Sequence, residues 1–203
     1  MSELRIGRFL LAGLHQAIAE LLPDRLEFYE SWLSVTGLRA GTIGIAPLMA
    51  ALSFLRMEGE MYSRVTTRAG EYAAEWTVNG LPSLQKRLIV ALPVRMRARL
   101  ALRTVRQLVN ATYSESRAIV RLHKDASASV DLRGSPFCRV RDASPRPLCD
   151  FYAAAIARVL QRFHVPADLH VDSCRAASRG EGEGCLLSVM VRVLPEGEPA
   201  PAP

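Results

Sequence analysis

The sequence predicts an α+β fold, in which N-terminal helices pack on an antiparallel sheet built from two hairpins with an intervening amphipathic helix. Apolar residues recur at helical spacing through about the first 110 residues. Beyond them the spacing changes to alternation in two pairs of short segments, with one amphipathic helical stretch between the pairs. Helices and strands that are segregated in this way are typical of α+β proteins.

Five helices are predicted in the first part of the chain, and prolines and glycines separate them. Pro23 ends the first helix, Pro47 starts the third, and Gly59 divides the third from the fourth. Gly70 lies inside the fourth helix, where glycine costs about 1 kcal/mol relative to alanine. A glycine at this position is explained by close packing of another helix or, less strongly, by a ligand that approaches the backbone. The predicted ranges are 9–22, 26–33, 47–57, 61–76 and 94–110.

Two hairpins and one helix are predicted in the remainder. The segments ATYSESRAIVRLHK and ASASVDLRG form the first hairpin, joined near Lys124-Asp125. Residues 148–163 form a strongly amphipathic helix, and Asp168–Ala176 and Cys185–Leu194 form a second hairpin closed by SRGEGEG.

The length and composition predict one domain without a membrane span. At 203 residues, with 49% hydrophobic residues, the chain is expected to fold as a single domain over 1–195, with a helical part (1–110) and a hairpin part (111–195). Residues 196–203 (EGEPAPAP) are expected to be a disordered tail. No run approaches the ~20 apolar residues that cross a bilayer, and no signal-peptide pattern begins the chain, so a cytoplasmic location is expected.

The net charge of +6 is concentrated in one stretch. No acidic residue occurs from Trp76 to Ser114, whereas seven lysines and arginines do. Arg95, Arg99 and Arg103 are therefore candidate contacts for phosphate, anionic lipid or carboxylate groups. The alternative is a solvated helix face whose acidic partners lie elsewhere in the fold. Nucleic-acid binding is not expected, because no aromatic residues interleave with the arginines.

The cysteines carry the clearest chemical signal, because all four fall between Cys138 and Cys185. Zinc takes four sulfur, imidazole or carboxylate ligands, and Cys149, Cys174 and Cys185 with Asp172 form such a set. Asp172 and Cys174 are two apart on a predicted strand, so both are expected on one face. His170 shares that face and is the alternative fourth ligand. Buried thiols without a metal remain the alternative, and Cys138 is predicted to be structural.

The segments RGSPFC, PLCDFYAAAIARVL and LHVDSCRAASRGEGEGCLLSVMV resemble the 4-vinyl reductase domain family. The resemblance runs from about Gly70 to the end. It rests on a cysteine before a helix, an acid close to a second cysteine, and a third cysteine after a glycine-containing turn. This chain departs from the family in having aspartate where glutamate is more usual and in a longer turn before Cys185. The family is related in fold to subunits of the vesicle-tethering transport protein particle.

The resemblance implies a small-molecule-binding domain with a structural zinc site. A tetrapyrrole intermediate is the implied ligand, and a carrier or accessory role beside pigment-synthesis enzymes in bacteriochlorophyll biosynthesis is the implied function. The alternatives are a stand-alone sensor or adaptor for an aromatic or hydrophobic effector, and a vinyl reductase with an external electron donor. A homodimer paired through helices is expected. The candidate pocket residues between sheet and helices are Met61, Tyr72, Trp76, Phe151 and Tyr152.

Two further motifs do not predict a cofactor. GEGEG at residues 180–184 leads into a strand, whereas a phosphate-binding loop has to open a helix. Tyr113-Ser-Glu-Ser-Arg117 resembles a haem-contact tripeptide of gas sensors, but its central serine is displaced. No flavin or nicotinamide motif is found either, so the sequence gives little support to a reductase that acts alone.

Overall fold

The computed structural model describes residues 6–41, 43–124, 127–177 and 184–192, apart from the side chains of 38–40. These residues form an α+β structure, as predicted, in which helices pack against one antiparallel sheet. The predicted tail (196–203) and nearly all of the predicted turn SRGEGEG lie outside the described residues.

Most of the helices precede the sheet along the chain. A short 3-10 turn (Pro23–Arg25) lies between the first two helices. The helices are α1 (Arg8–Leu21), α2 (Leu26–Glu30), α3 (Val35–Ala40), α4 (Ile45–Met57), α5 (Glu60–Asn79), α6 (Ser83–Val90), α7 (Val94–Thr112) and α8 (Asp150–Arg162).

The four described strands form one sheet in the order β1-β2-β4-β3. Their bounds are β1 (Arg117–Leu122), β2 (Ser127–Arg133), β3 (Ala167–Ser173) and β4 (Gly184–Val191). Every neighbouring pair is antiparallel, so both predicted hairpins are confirmed, and β4 joins them by pairing with β2. The alternating burial of β2 turns one face of the sheet towards the core, as period-two spacing requires.

Helix α5 occupies the centre of the helical layer, between α1 and α8. Gly70 makes the α5–α8 contact possible, since a β-carbon there would lie 2.1 Å from the carbonyl oxygen of Phe151. Close packing is therefore the reason for this glycine. Helices α7 and α8 contact the edge strands β1 and β3, respectively, which connects the helical layer to the sheet.

The helices differ from the sequence prediction in three places. Helix α4 begins at Ile45, two residues before Pro47, because proline is tolerated in the first turn of a helix. Helix α2 ends at Glu30 instead of residue 33. Helices α3 and α6 were not predicted, since neither is long enough to repeat its apolar spacing over three turns. None of the described helices is both long enough and apolar enough to span a membrane.

Candidate metal centre and ligand cleft

The sulfur atoms of three cysteines meet in the core, and the fourth cysteine, Cys149, is buried close to them. Cys138 Sγ lies 3.4 Å from Cys185 Sγ and 3.6 Å from Cys174 Sγ, and the Cys174–Cys185 distance is 3.6 Å. The Cys149 thiol interacts with the other three. All four side chains are buried and none forms a disulfide. The described residues therefore contain a compact group of three free thiols, and the thiol of Cys149 lies next to this group.

Each thiol reaches the cluster from a different element. Cys138 follows the turn that ends β2, where Gly134 adopts a φ of +67° and leaves no room for a β-carbon beside Glu115. Cys149 is the residue before α8. Cys174 directly follows β3, and Cys185 lies in β4 opposite the buried Leu132. The cluster therefore joins the sheet, the start of α8 and the loop between them.

The structure does not bring Asp172 to the thiols. Val171 pairs with Leu187 and Ser173 with Leu186, so Asp172 falls at a β-bulge. A bulge interrupts the alternation of side chains, so residues two apart no longer share a face. Asp172 is exposed and accepts a hydrogen bond from Ser188 Oγ. His170, the alternative ligand, is exposed as well.

The group of three close sulfurs includes Cys138, whereas Asp172 lies outside it. The sequence predicts a structural role for Cys138 because this cysteine lies outside the three-cysteine signature of the family. The signal that could have included it is the count, because four cysteines supply a complete tetrahedral set.

The thiols shift one another's pKa in opposite directions. Hydrogen bonding to the other three thiols raises the pKa of Cys149, and burial adds a smaller increase, because both effects favour the neutral thiol. The pKa of Cys174 is lowered, since the thiols of Cys138, Cys149 and Cys185 donate to its sulfur. The backbone N–H of Leu148 also donates to it at 3.4 Å. If all four cysteines were deprotonated, their negative charges would require a cation to balance them.

Four cysteine sulfurs match the ligand preference of zinc or of iron in a sulfur site. A closed tetrahedral set leaves no position for a substrate, so such a site is structural. A cleft of about 310 Å³, lined by Cys138, Val140 and Arg175 among others, reaches the cluster from the surface. This cleft offers an entry path for an ion.

The five predicted pocket residues lie in separate places. Tyr72 and Trp76 stack on each other, half-buried, on α5, with the Tyr72 hydroxyl at 2.5 Å from Glu20 Oε2. Phe151 and Tyr152 are fully buried beside Phe137 in the core. Met61 is half-buried at the start of α5. None of the five lines the clefts described here.

A different cleft lies between α7 and the β1–β2 hairpin. This α7–hairpin cleft has a volume of about 480 Å³. Its apolar lining includes Met96, Ala98, Leu122 and Val191, and its polar lining is Arg95, Arg99, His123, Lys124 and Ser127. Two of the three predicted anion-binding arginines, Arg95 and Arg99, therefore share it with a lysine and a histidine of the hairpin that sequence reasoning missed.

The third predicted arginine, Arg103, lines a separate groove. This α6–α7 groove has a volume of about 460 Å³ and lies between the two helices for which it is named. Its apolar lining is Leu88, Ile89, Leu92 and Leu100. The arginines of α7 therefore serve two neighbouring surfaces rather than one.

Comparison with solved structures identifies the fold. An H-NOX protein from S. oneidensis in the Fe(II)NO ligation state is 14% identical, with a TM-score of 0.51 over 93% of this chain and 100% of that chain. An H-NOX domain from Shewanella oneidensis in the Fe(II)CO ligation state is 11% identical, with a TM-score of 0.54 over 92% of this chain and 98% of that chain. The chain therefore has an H-NOX-like α+β fold.

A trafficking protein particle complex subunit 3 from Naegleria fowleri, covalently bound to palmitic acid, also matches. It is 13% identical, with a TM-score of 0.44 over 82% of this chain and 93% of that chain. No protein-family model matches the chain, and no curated protein matches its sequence. The resemblance to 4-vinyl reductase domains therefore stays a prediction.

The histidines of this chain are not placed to hold an iron inside the described structure. An iron held by histidine needs an imidazole inside the protein. His15 is half-buried at the surface and bonds to Glu30 at 2.9 Å, and His123, His164 and His170 are exposed. In the Tyr113–Arg117 segment, Arg117 Nη1 donates to the carbonyl oxygens of Ser114 and Ser116, so this arginine stabilises its own turn.

Proposed function

We propose that the chain is a small-molecule sensor or adaptor domain that binds an effector in the α7–hairpin cleft. The observation that carries the proposal is the lining of this cleft, which combines an apolar wall with Arg95, Arg99 and Lys124. Small-molecule sites are usually apolar clefts of about 300–1,000 Å³ with a few polar groups that orient the ligand. The effector therefore has an apolar body and an acidic group.

The cationic groups of the cleft are available to an anion. Arg95 and Arg99 are exposed, and neither forms a hydrogen bond or ion pair with another described residue. They lie four residues apart on α7, so their side chains share one face of the helix. Lys124 approaches from the hairpin. A carboxylate at this position would contact positive charge from both sides.

The fold supports a binding role. The two H-NOX structures are described with NO or CO at Fe(II), so this fold accommodates small-molecule ligands. The α7–hairpin cleft would bind a molecule larger than NO or CO, through its apolar wall and its cationic side chains. It joins the start of α7 to the tip of the β1–β2 hairpin, so a bound effector would restrict the movement of these two elements relative to each other.

The proposal is tested by titrating the purified chain with a medium-chain fatty acid and, separately, with its methyl ester. The acid is expected to bind more tightly than the ester, because the ester has no negative charge for the arginines. Arg95→Gln with Arg99→Gln should weaken binding of the acid by about tenfold, if each charged contact contributes about 0.7 kcal/mol. Binding of the ester should change little.

Arg64→Gln with Arg121→Gln is the matched control, since both arginines are exposed outside the cleft. This double variant should bind the acid as the unmodified chain does. Equal affinity for acid and ester, or equal losses in the two double variants, would contradict the proposal.

The tetrapyrrole interpretation is tested in the same assay. A tetrapyrrole with free propionates would use the same cations, whereas its dimethyl ester would not. Preference for the tetrapyrrole over the fatty acid would favour the carrier role that the family resemblance implies, and preference for the smaller acid would favour the sensor or adaptor role.

We also propose that Cys138, Cys149, Cys174 and Cys185 hold one structural zinc ion. The distances among the Cys138, Cys174 and Cys185 sulfurs and the interaction of Cys149 with all three support this proposal. Native mass spectrometry should find about one zinc per chain. Cys138→Ser should lose most of it, whereas Asp172→Ala should retain it, because Asp172 is exposed and bonded to Ser188. Loss of zinc in the Asp172→Ala variant but not in the Cys138→Ser variant would instead support Asp172 as the fourth ligand, as predicted from the sequence.

A further inference from the structure

Helix α6 is an amphipathic element whose apolar side faces largely away from the protein. Only Ile89 of its eight residues is buried. Leu84 and Leu88, one turn apart, are 68% and 61% exposed. A helix of eight residues is not stable by itself in water and depends on what its apolar side contacts. The exposure of both leucines therefore indicates that another surface covers them.

Three arginines on α6 and on the exposed side of the neighbouring helix α7 have no partner among the described residues. Arg87 lies on α6, and Arg103 and Arg106 lie on the exposed side of α7, with Arg103 lining the α6–α7 groove together with Leu88. None of the three forms a hydrogen bond or ion pair with any residue in the described part of the chain. No acidic residue occurs in the sequence between Glu75 and Glu115. The surface is therefore positive and apolar together.

We propose that this α6 surface, made of Leu84, Leu88, Arg87, Arg103 and Arg106, docks on an anionic phospholipid membrane. A helix with leucines on one side and cations beside them lies in the plane of the bilayer interface, where the leucines enter the acyl boundary. The arginines remain at the level of the phosphates, and the negative potential of an anionic leaflet attracts them.

A lipid surface fits these observations better than a protein or a nucleic acid. The apolar part is two aliphatic side chains on one short helix, which is small for the core of a stable protein interface. The cations have no acidic residue near them in sequence, whereas protein interfaces intersperse both signs of charge. Aromatic side chains for base stacking are also lacking on α6 and on α7, whose residues are all described.

Vesicle co-sedimentation of the full chain tests the proposal. Vesicles of equal parts phosphatidylcholine and phosphatidylserine should bind the chain, and vesicles of phosphatidylcholine alone should bind it much more weakly. Arg103→Gln with Arg106→Gln should reduce binding to the mixed vesicles by roughly 25-fold, at about fivefold for each charge. Leu84→Ser with Leu88→Ser should reduce it by at least about tenfold.

Two matched controls separate this surface from general charge and apolarity. Arg64→Gln with Arg121→Gln removes two exposed cations elsewhere, and Met57→Ser with Leu186→Ser removes two exposed apolar side chains elsewhere. Both should bind the mixed vesicles as the unmodified chain does. Circular dichroism confirms that each variant is folded, and the arginine pair, exposed on α7, tests the proposal even if the leucine pair does not fold.

Several results would overturn the proposal. One is equal binding of the chain to both kinds of vesicle, and another is a loss of binding in the control variants as large as in the α6-surface variants. A third is a chain that does not bind vesicles but forms a dimer in light scattering, if the Leu84→Ser, Leu88→Ser variant is a monomer. Binding of a single-stranded oligonucleotide in place of the vesicles would also overturn it. The variants leave Arg95, Arg99 and Lys124 intact, so binding of the fatty acid reports separately on the α7–hairpin cleft.

Discussion

At the scale of single residues, the buried tyrosine Tyr29 links stability to alkaline pH. Burial, reinforced by the negative charge of Glu58, raises the pKa of Tyr29 from 10.0 to about 12, while Arg25 opposes the shift. The unfolded chain therefore releases this proton first as the pH rises, so the contribution of Tyr29 is complete below pH 10 and is lost between pH 10 and about 12. Tyr29→Phe removes this loss.

The prediction is checked by urea unfolding of both proteins at several alkaline pH values. The free energy of unfolding should fall less steeply with pH in the Tyr29→Phe variant. The difference between the two slopes should correspond to at most one proton released on unfolding. The remaining slope comes from other buried tyrosines, such as Tyr152, whose pKa burial also raises to about 12. Identical slopes in the two proteins would show that Tyr29 does not titrate in this way.

The candidate site residues were predictable from sequence only in part. Three of the four clustered cysteines were predicted, because their residue type alone limits their chemistry. Asp172 was assigned by strand alternation, and the bulge beside it is a local irregularity that alternation does not contain. Lys124 joins Arg95 and Arg99 through the packing of the hairpin on α7, and the spacing along the chain carries no sign of this contact.

At the scale of elements, the contact between α5 and α8 depends on Gly70. Alanine there would place its β-carbon against the backbone of Phe151, and neither helix can move without disturbing the core. We expect Gly70→Ala to reduce the free energy of unfolding by about 2 kcal/mol, because overpacking costs about 3 kcal/mol and the better helix propensity of alanine returns about 1 kcal/mol.

Chemical denaturation measures this effect, and Gly44→Ala is its control. The nearest atom to a β-carbon at Gly44 is 4.0 Å away, and the backbone there suits any residue. The control should stay within about 1 kcal/mol of the unmodified chain. A Gly70→Ala protein as stable as the control would show that α5 and α8 have room to separate.

The elements themselves were predictable where periodicity is long. Helices α1, α5, α7 and α8 each repeat their apolar spacing over three turns or more, and the structure confirms all four. Helix α6 has fewer than three turns and buries one residue, so its two exposed leucines gave no clear pattern. The sheet order also could not be read from the sequence, because the pairing of β2 with β4 is a contact between distant segments.

At the scale of the whole molecule, the cysteine cluster should decide how firmly the sheet is connected to α8. Its sulfurs come from the loop after β2, the start of α8, the residue after β3 and strand β4, so one ion would connect segments from Cys138 to Cys185. An ion that binds only the folded state at a thousandfold excess over its dissociation constant stabilises that state by about 4 kcal/mol.

Removal of zinc by a chelator should therefore lower the midpoint of thermal unfolding by about 10 °C, at about 2–4 °C per kcal/mol for a chain of this size. Asp172→Ala should show the same decrease, because its metal site is intact. Cys138→Ser should unfold at the lower temperature with or without chelator. If the chelator leaves the midpoint of the unmodified chain unchanged, the four thiols stabilise the core as ordinary buried side chains, and the H-NOX-like fold of this chain needs no metal to connect its sheet to its helices.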